Sequence, residues 1–167
     1  MTKKNVLSIK NLNKVYSKDS DSPTYALNNL NLDVQDGEIF GLLGPNGAGK
    51  TTFLNILAGT VIKSSGNVNV WGFDLDLNPR QVRASIGIVP QEINLDPFFS
   101  PRKLLELQAG LYGIKKKDRI TNTILKLVSL EKQANSYARS LSGGMKRRLL
   151  MAKALVHKPP IIFLDEP

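Results

Sequence analysis

The sequence contains no cysteine and only one histidine. The absence of cysteine excludes disulfide scaffolds, thiol catalysis and cysteine-ligated zinc sites. Long apolar runs are also lacking: uncharged stretches such as 39–43 and 161–164 are far shorter than the roughly 18 to 20 residues that cross a bilayer. No secretory hydrophobic region follows the amino terminus. These absences predict a cytoplasmic chain that does not itself span a membrane.

What the sequence does have is apolar residues for one core and an uneven charge. Hydrophobic residues make up 41% of the 167 positions, which is typical of a soluble domain. The formal net charge is +9; residues 1–98 hold 9 basic and 9 acidic side chains, whereas residues 99–167 hold 14 and 5. A basic half suits nucleic acid, anionic lipid, an acidic partner or a solvated face, so charge alone selects no function.

Hydrophobic periodicity predicts an α/β chain with a mainly parallel sheet and a helical insert. Residues 38–43 are apolar on both faces, which is typical of a buried parallel strand. Leucine and isoleucine recur at helical spacing through residues 100–139, which predicts the insert. The other predicted elements are strands over 6–10, 31–35, 66–72, 86–89 and 161–164 and helices over 51–58 and 142–156.

A glycine-rich loop lies between the strand predicted over 38–43 and the helix predicted over 51–58, and it fits the phosphate-loop pattern G-x-x-x-x-G-K-[ST]. Its backbone N–H groups and the following helix N-terminus form a nest for polyphosphate. Lys50 reaches the terminal phosphates, and the Thr51 hydroxyl takes a Mg²⁺ position. The alternative is a glycine-rich turn that contains a lysine by chance. The predicted phosphate-binding residues are Gly44, Pro45, Asn46, Gly47, Ala48, Gly49, Lys50, Thr51 and Thr52.

Two acids follow the apolar residues 161–164, at the expected carboxyl end of a buried parallel strand, where α/β sheets bind ligands. Asp165 is predicted to hold the Mg²⁺ shell. Glu166 is predicted to orient and deprotonate the attacking water. Taken alone, such a pair is more often a helix N-cap or a solvated turn, but the phosphate loop reverses that preference.

Two further motifs complete a set of four. In chain order the set is the phosphate loop, Val89-Pro90-Gln91, Leu141-Ser142-Gly143-Gly144-Met145 and Leu164-Asp165-Glu166-Pro167. With these motifs the chain resembles the ATP-binding cassette (ABC) domain of ABC transporters over essentially its whole length. Met145, where glutamine is commoner, followed by Lys146-Arg147-Arg148, resembles the subgroup that serves multidrug and ABC-2-type exporters.

The resemblance implies a P-loop NTPase fold: a RecA-like parallel-sheet core, an N-terminal antiparallel β-subdomain and a helical insert. Residues 1–92 and 140–167 would form the core and β-subdomain, and residues 93–139 the helical subdomain.

The resemblance also assigns roles to single residues. The signature residues Leu141, Ser142, Gly143, Gly144 and Met145 would bind the ATP held by a second copy, so that ATP joins two cassettes head to tail. Gln91 would touch the Mg²⁺ and the water, although an ordinary loop amide is its alternative. Lys50, Gln91 and Glu166 are thus the predicted catalytic residues, and Thr51, Gln91 and Asp165 the predicted metal ligands.

Several side chains outside the motifs have competing interpretations. Tyr16 lies where the family keeps an aromatic residue that stacks on adenine, and Tyr25 competes for that role. His157 precedes the carboxylate strand, so we interpret it as a helix C-terminal residue favoured by the helix dipole. Trp71 and the pair Phe98-Phe99 are interpreted as packing residues. The basic run 146–148 either faces solvent or holds polyphosphate or an acidic partner.

The family continues beyond the position of Pro167 into a partner-contact loop, another core strand and a switch histidine. We therefore expect a cassette truncated after its carboxylate motif, with the carboxyl-terminal part of the core missing. Alone it should bind nucleotide weakly and hydrolyse it poorly. In a complete version, Glu166→Gln should leave ATP binding intact and trap an ATP-held dimer.

The leading functional hypothesis is an ATPase subunit of an exporter. It would use ATP and Mg²⁺, pair with a second cassette and sit on the inner membrane face through an ABC-2-type permease. The alternative is a soluble ABC-type ATPase acting on nucleic acid or the ribosome, which the basic half would suit. Lys50 and Ser142 lie only 92 positions apart, and DNA-repair relatives carry large insertions there, so we favour transport and expect no nucleic-acid partner. An unrelated kinase or GTPase would lack the signature.

Overall fold

The computed structural model of the chain describes residues 4–17 and 22–165. The chain divides into unit 1, Met1–Ser85, and unit 2, Ile86–Pro167, each of which has its own sheet. Unit 1 holds a four-stranded antiparallel sheet and unit 2 a parallel strand pair with helices, which confirms the predicted α/β class. Within the described ranges, none of the helices is long and apolar enough to cross a membrane.

Unit 1 is built around a long hairpin of β1 (Asn5–Tyr16) and β2 (Thr24–Gln35). Strands β3 (Ser65–Val70) and β4 (Phe73–Asp74) extend the sheet in the order β2-β1-β3-β4. Helix α1 (Lys50–Ala58) ends at Gly59 as predicted, and α2 (Pro79–Ala84) follows β4. The core side chains include Ile9, Leu12, Ile56, Leu57 and Val68.

The hairpin strands are much longer than the predicted segments 6–10 and 31–35 because asparagines carry them across two bulges. Between the pairs Ile9↔Leu32 and Leu12↔Leu30, β1 has one extra residue; after Leu12, β2 has the extra one. Asn11 and Asn29, at these bulges, have positive φ angles of 51° and 52°. Asparagine side chains bond the displaced backbone: Asn31 Oδ1 accepts from Asn11 N at 2.9 Å, and Asn13 Oδ1 from Asn29 N at 2.8 Å.

The prediction of a buried parallel strand over residues 38–43 is wrong for this structure. The segment has no strand conformation, and Ile39 and Leu43 are 105% and 94% exposed. An apolar run becomes a buried strand only where neighbouring strands pair with it and other layers cover it. Among the described residues, no strand pairs with this segment.

Unit 2 packs three helices into one hydrophobic core. Helices α3 (Pro101–Leu111) and α4 (Thr121–Leu127), with 3₁₀ turns at Lys116–Asp118 and Ala138–Ser140, confirm the predicted helical insert. Helix α5 (Gly143–Leu155) follows the signature serine. The fully buried members of this core include Leu105, Leu125, Leu130 and Leu149.

The parallel pair of unit 2 joins β5 (Ile86–Val89) to β6 (Ile161–Leu164), both as predicted in position. However, β6 is not buried as predicted: its side chains alternate between half-buried and exposed, with Leu164 45% exposed. The described residues pair β6 on one edge only, with β5. Alternate side chains of a strand point to opposite faces of the sheet, so the exposed Ile162 and Leu164 mark the face of β6 that no layer of the described residues covers.

The interpretation of Phe98 and Phe99 as packing residues is also wrong, because both are exposed, Phe98 by 65%. The guanidinium of Arg139 lies 5.7 Å from the centre of the Phe98 ring and 5.2 Å from that of the Tyr137 ring. Trp71 is half-buried, with the Lys4 ammonium 5.5 Å from its ring.

His157 lies just past the C-cap of α5, as predicted, but its ring is packed against other residues of unit 2. Its ring stacks on Tyr112 with centroids 3.7 Å apart, and Nε2 lies 2.9 Å from the carbonyl oxygen of Ile86. Its Nδ1 is buried and has no partner in the described part of the chain. Burial lowers the pKa of His157, which the hydrogen bond to Ile86 only partly offsets. The neutral ring with Nε2–H donating is therefore the form that fits this position.

Candidate functional site

The phosphate loop forms a backbone cradle at the start of α1. Gly47 and Gly49 both adopt positive φ, 83° and 86°, the left-handed conformation found in backbone nests that bind anions. Gly49 is the N-cap of α1, and no described side chain caps this end. The first-turn amides of Lys50, Thr51 and Thr52 are therefore without a capping side chain, as an anion site at a helix N-terminus requires.

The Lys50 side chain folds back onto the start of this loop. Its Nζ donates to the carbonyl oxygens of Gly44 at 2.5 Å and Pro45 at 2.9 Å. Within the loop, Ala48 N donates to Pro45 O at 3.2 Å, and Phe53 N donates to Gly49 O at 2.8 Å to start the helix. The ammonium of Lys50 is thus already held by the loop, and a terminal phosphate of a bound nucleotide would take the place of these two carbonyl oxygens as its hydrogen-bond acceptor.

The loop is joined to the hairpin that carries both tyrosine candidates. A Cβ on Gly49 would collide with the carbonyl oxygen of Ala26 and lie 2.8 Å from Leu27 Cδ2. Ala26 is the extra residue of a bulge between the pairs Lys14↔Leu27 and Val15↔Tyr25. Tyr25 is thus the sequence neighbour of the contact point, and Tyr16, paired with Thr24, lies one ladder step beyond it.

Both tyrosine rings are accessible to a ligand. Tyr16 is 40% exposed and Tyr25 63% exposed. The Lys14 ammonium lies 4.6 Å from the centre of the Tyr16 ring. Topology brings both rings to the end of the hairpin that touches the phosphate loop, and this geometry does not choose between them.

In unit 2 the glutamine and carboxylate motifs lie at the same end of the parallel pair. Gln91 follows β5 and Asp165 follows β6, and the Asp165 N–H donates to Val89 O at 3.0 Å. Strand pairing therefore holds these two predicted ligands at one sheet edge, as expected for parallel strands. Glu166, the predicted base, lies outside the described residues.

The signature forms the N-terminus of α5. Ser142 is the N-cap, and its Oγ accepts from Met145 N at 3.3 Å; Leu141 is buried beneath it. Gly143 and Gly144 are exposed, and no described atom lies within 4 Å of where a Cβ on either would stand. The packing of the described structure thus does not require glycine at these two positions. The bare backbone there is open to a ligand or a partner molecule.

The chemistry of these residues fits Mg²⁺ carried by a nucleotide. No cluster of three or more acidic, histidine or cysteine side chains occurs in the described ranges. Nucleotide-bound Mg²⁺ needs only one or two protein oxygens, because phosphates and waters supply the others. The exposed Thr51 hydroxyl and the Asp165 carboxylate are donors of that kind.

Residues 27–167 match the family described as ABC transporter. The chain belongs to the ABC transporter family. It is 39% identical, over 165 residues, to the Nod factor export ATP-binding protein I of Cupriavidus metallidurans, covering 97% of this chain and 52% of that protein. This cassette chain therefore spans about half the length of the relatives it matches.

Two solved structures of ABC proteins share the fold. An ATP-binding subunit of an ABC transporter superposes with a TM-score of 0.83 at 27% identity, covering 97% of this chain and 66% of that one. A dimeric ATP-binding cassette in a post-hydrolysis state with ADP and Pi superposes with a TM-score of 0.80 at 31% identity, covering 96% and 74%. The predicted P-loop NTPase fold is thereby confirmed.

The basic run 146–148 of this ABC chain makes backbone contacts that no sequence pattern predicted. Arg147 donates to the carbonyl oxygens of Pro90, Gln91 and Asp165, and Arg148 donates to Val128 O at 3.0 Å. Both arginines are half-buried. Neither side chain therefore belongs to a fully solvated face. No local pattern predicts these bonds, since the acceptors lie 18 to 57 positions away.

Proposed function

We propose that this chain binds ATP with Mg²⁺ and, in its complete protein, hydrolyses it. The observation that carries the proposal is the phosphate loop: uncapped first-turn amides, two glycines at positive φ, and Lys50 poised on the loop's own carbonyls. Membership of the ABC transporter family supports ATP as the nucleotide.

In this proposal, different residues of the chain bind the phosphates, the metal and the attacking water. The loop amides and Lys50 bind the phosphates, the Thr51 hydroxyl and Asp165 hold the metal, and Gln91 orients the water. Bound Mg²⁺ would neutralise charge on the phosphate oxygens. Glu166 takes the proton from the attacking water, so that Glu166→Gln should retain ATP binding and lose turnover.

Titration with a fluorescent ATP analogue tests the binding step. Lys50→Ala should weaken affinity at least about tenfold, since it removes a charge-assisted contact to phosphate. Lys10→Ala is the matched control: it removes an equal charge from an exposed position on β1. Equal affinities of the two variants, or no binding by the wild-type chain, would refute the proposal.

Adenine stacking on Tyr16 is proposed as the base contact. Stacking of a base on an aromatic ring contributes roughly 1–3 kcal/mol, so Tyr16→Ala should lower affinity about 5- to 150-fold. Tyr25→Ala, on the same end of the hairpin, serves as the comparison. The proposal is wrong if Tyr25→Ala weakens ATP binding and Tyr16→Ala does not.

We further propose that the complete protein pairs with a second cassette through the signature and energises export through an ABC-2-type membrane permease. The similarity to Nod factor export ATP-binding proteins supports this, as does the exposed glycine pair at the start of α5. Recovery of the tagged protein with a membrane partner from detergent-solubilised cells tests the proposal. Recovery with ribosomes or nucleic acid in its place would favour the soluble alternative.

A further inference from the structure

One side chain of α5 joins the two loops that hold the predicted metal and water ligands. Arg147 Nη1 donates to the carbonyl oxygens of Pro90 at 2.8 Å and Gln91 at 2.7 Å, and Nη2 donates to that of Asp165 at 3.3 Å. Arg147 stands two residues beyond the signature motif. A single guanidinium therefore contacts the glutamine loop, the carboxylate loop and, through its own backbone, the signature helix.

The chemistry of this contact requires arginine. A guanidinium is planar, permanently charged and carries five N–H donors in a rigid fork, so it can serve carbonyls from two separate loops at once. A lysine ammonium is a point charge on a flexible stem and cannot hold the same spread of acceptors in one plane. Hydrogen bonds from a charged donor are also roughly twice as strong as neutral ones.

At the strand ends the two chain segments are joined by a backbone bond from Asp165 N to Val89 O at 3.0 Å. Arg147 adds three contacts just beyond it, on the residues where β5 and β6 give way to loops. We infer that Arg147 is a positioning residue that sets the spacing of Gln91 and Asp165. This inference rests on the proposed function, because it concerns the Mg²⁺ that accompanies the nucleotide.

The neighbouring Arg148 supplies a matched control within the same helix turn. It has the same charge and is also half-buried, but its hydrogen bond goes to Val128 O, in the helical part of unit 2. A general effect of removing a cation from α5 should therefore be shared by both variants. An effect on the two loops should belong to Arg147 alone.

The first measurement needs no nucleotide. Hydrogen exchange of the Asp165 amide, followed by nuclear magnetic resonance, reports whether the ends of β5 and β6 stay together. Arg147→Gln should speed this exchange about tenfold, as loss of charge-assisted hydrogen bonds predicts. Arg148→Gln should leave it within about twofold of wild type, and Arg147→Lys should fall between the two.

The second measurement is the ratio of ATP-analogue affinities with Mg²⁺ and with EDTA. Arg147→Gln should lower this ratio about tenfold and leave the affinity in EDTA unchanged, because the phosphate loop is intact. Arg148→Gln should leave the ratio unchanged. A residue that only stabilises the fold would lower both affinities together.

The outcomes separate the inference from the proposed function. If Arg147→Gln behaves like Arg148→Gln in both measurements, the positioning role is wrong. If the wild-type chain binds no nucleotide, the proposed function fails, and the Asp165 exchange rates still decide whether Arg147 fixes the loops. Should Arg147→Gln fail to fold, Arg147→Lys decides on the same two readouts: wild-type values for it would overturn the inference.

Discussion

Replacing Gly49 by alanine tests how the phosphate loop is fixed to the β-hairpin. Two separate penalties act on the new methyl group. Gly49 has a φ of +86°, a conformation that costs an L-residue about 1 kcal/mol. In addition, the Cβ would collide with the Ala26 carbonyl oxygen and lie 2.8 Å from Leu27 Cδ2.

The cost of the steric overlap can be measured as the difference in unfolding free energy between Gly49→Ala and alanine variants of two other glycines. Gly47 and Gly37 also have positive φ, 83° and 76°, but no described atom lies within 4 Å of a Cβ at either position. Alanine there should cost only the conformational term, about 1 kcal/mol. Gly49→Ala adds overpacking against backbone, which typically costs about 1–3 kcal/mol. We expect it to be the most destabilising of the three, at about 2–4 kcal/mol.

Urea unfolding followed by tryptophan fluorescence is the assay, since Trp71 is the only tryptophan and lies in unit 1. With a slope of about 2 kcal/mol per molar urea, a difference of about 2 kcal/mol moves the midpoint by about 1 M. Nucleotide titration then separates the controls, because Gly47→Ala should also weaken ATP binding and Gly37→Ala should not. Equal midpoints for Gly49→Ala and Gly37→Ala would show that the loop is not packed on Ala26 as described.

Three further predictions concern unit 2. Burial lowers the pKa of His157 below the unfolded value of 6.5. The free energy of unfolding should therefore be greatest above pH 6.5 and fall as the pH drops below it, because the unfolded chain takes up the proton first. His157→Phe should abolish this fall in thermal unfolding followed by circular dichroism, and an unchanged pH slope would contradict the prediction. The hydrogen bond from the Thr121 hydroxyl, then that from Arg119, lowers the pKa of Glu106 below 4.5. Glu106→Gln should therefore cost about 1–2 kcal/mol at pH 7 in urea unfolding, and the loss should shrink as the pH falls through the wild-type carboxyl's pKa; a cost independent of pH would argue against the charged pair. Gly144→Ala should leave the urea midpoint unchanged or slightly raised, because its Cβ meets no described atom, and should weaken ATP-dependent self-association by sedimentation; a large loss of stability would mean that the glycine is needed for packing.

The elements that sequence predicted well are those whose cause is local. Helix α1 ends at a glycine, α5 begins at a serine N-cap, and β5 ends at a proline, and each boundary follows from the residue at it. The hairpin was predicted too short because its bulges depend on bonds such as Asn31 to Asn11, 20 positions apart. Helix α2 was missed because its six residues include one buried apolar side chain, Val82, too few for a period.

The candidate site divides in the same way. The phosphate loop and the signature are contiguous motifs, so their residues could be named from sequence alone. The strand predicted before the loop depends on neighbours that lie elsewhere in a sheet, and that prediction is wrong for the described structure. The bonds of Arg147 join residues 18 to 57 positions apart. The stacking of His157 on Tyr112 joins residues 45 positions apart. Such pairings arise from tertiary packing and leave no periodic signal.

The paired bulges of the hairpin restrict how its length can vary. One extra residue in β1 is cancelled by one in β2, so Leu12 remains buried between them. A substitution at Asn11 keeps the backbone bond to Asn31 and loses only the tolerance of asparagine for a positive φ. Deletion of Asn11 would instead turn every following side chain of β1 to the opposite face, which would expose Leu12 and redirect Tyr16. Over evolutionary time this hairpin should accept replacements at its bulges far more readily than single-residue insertions or deletions.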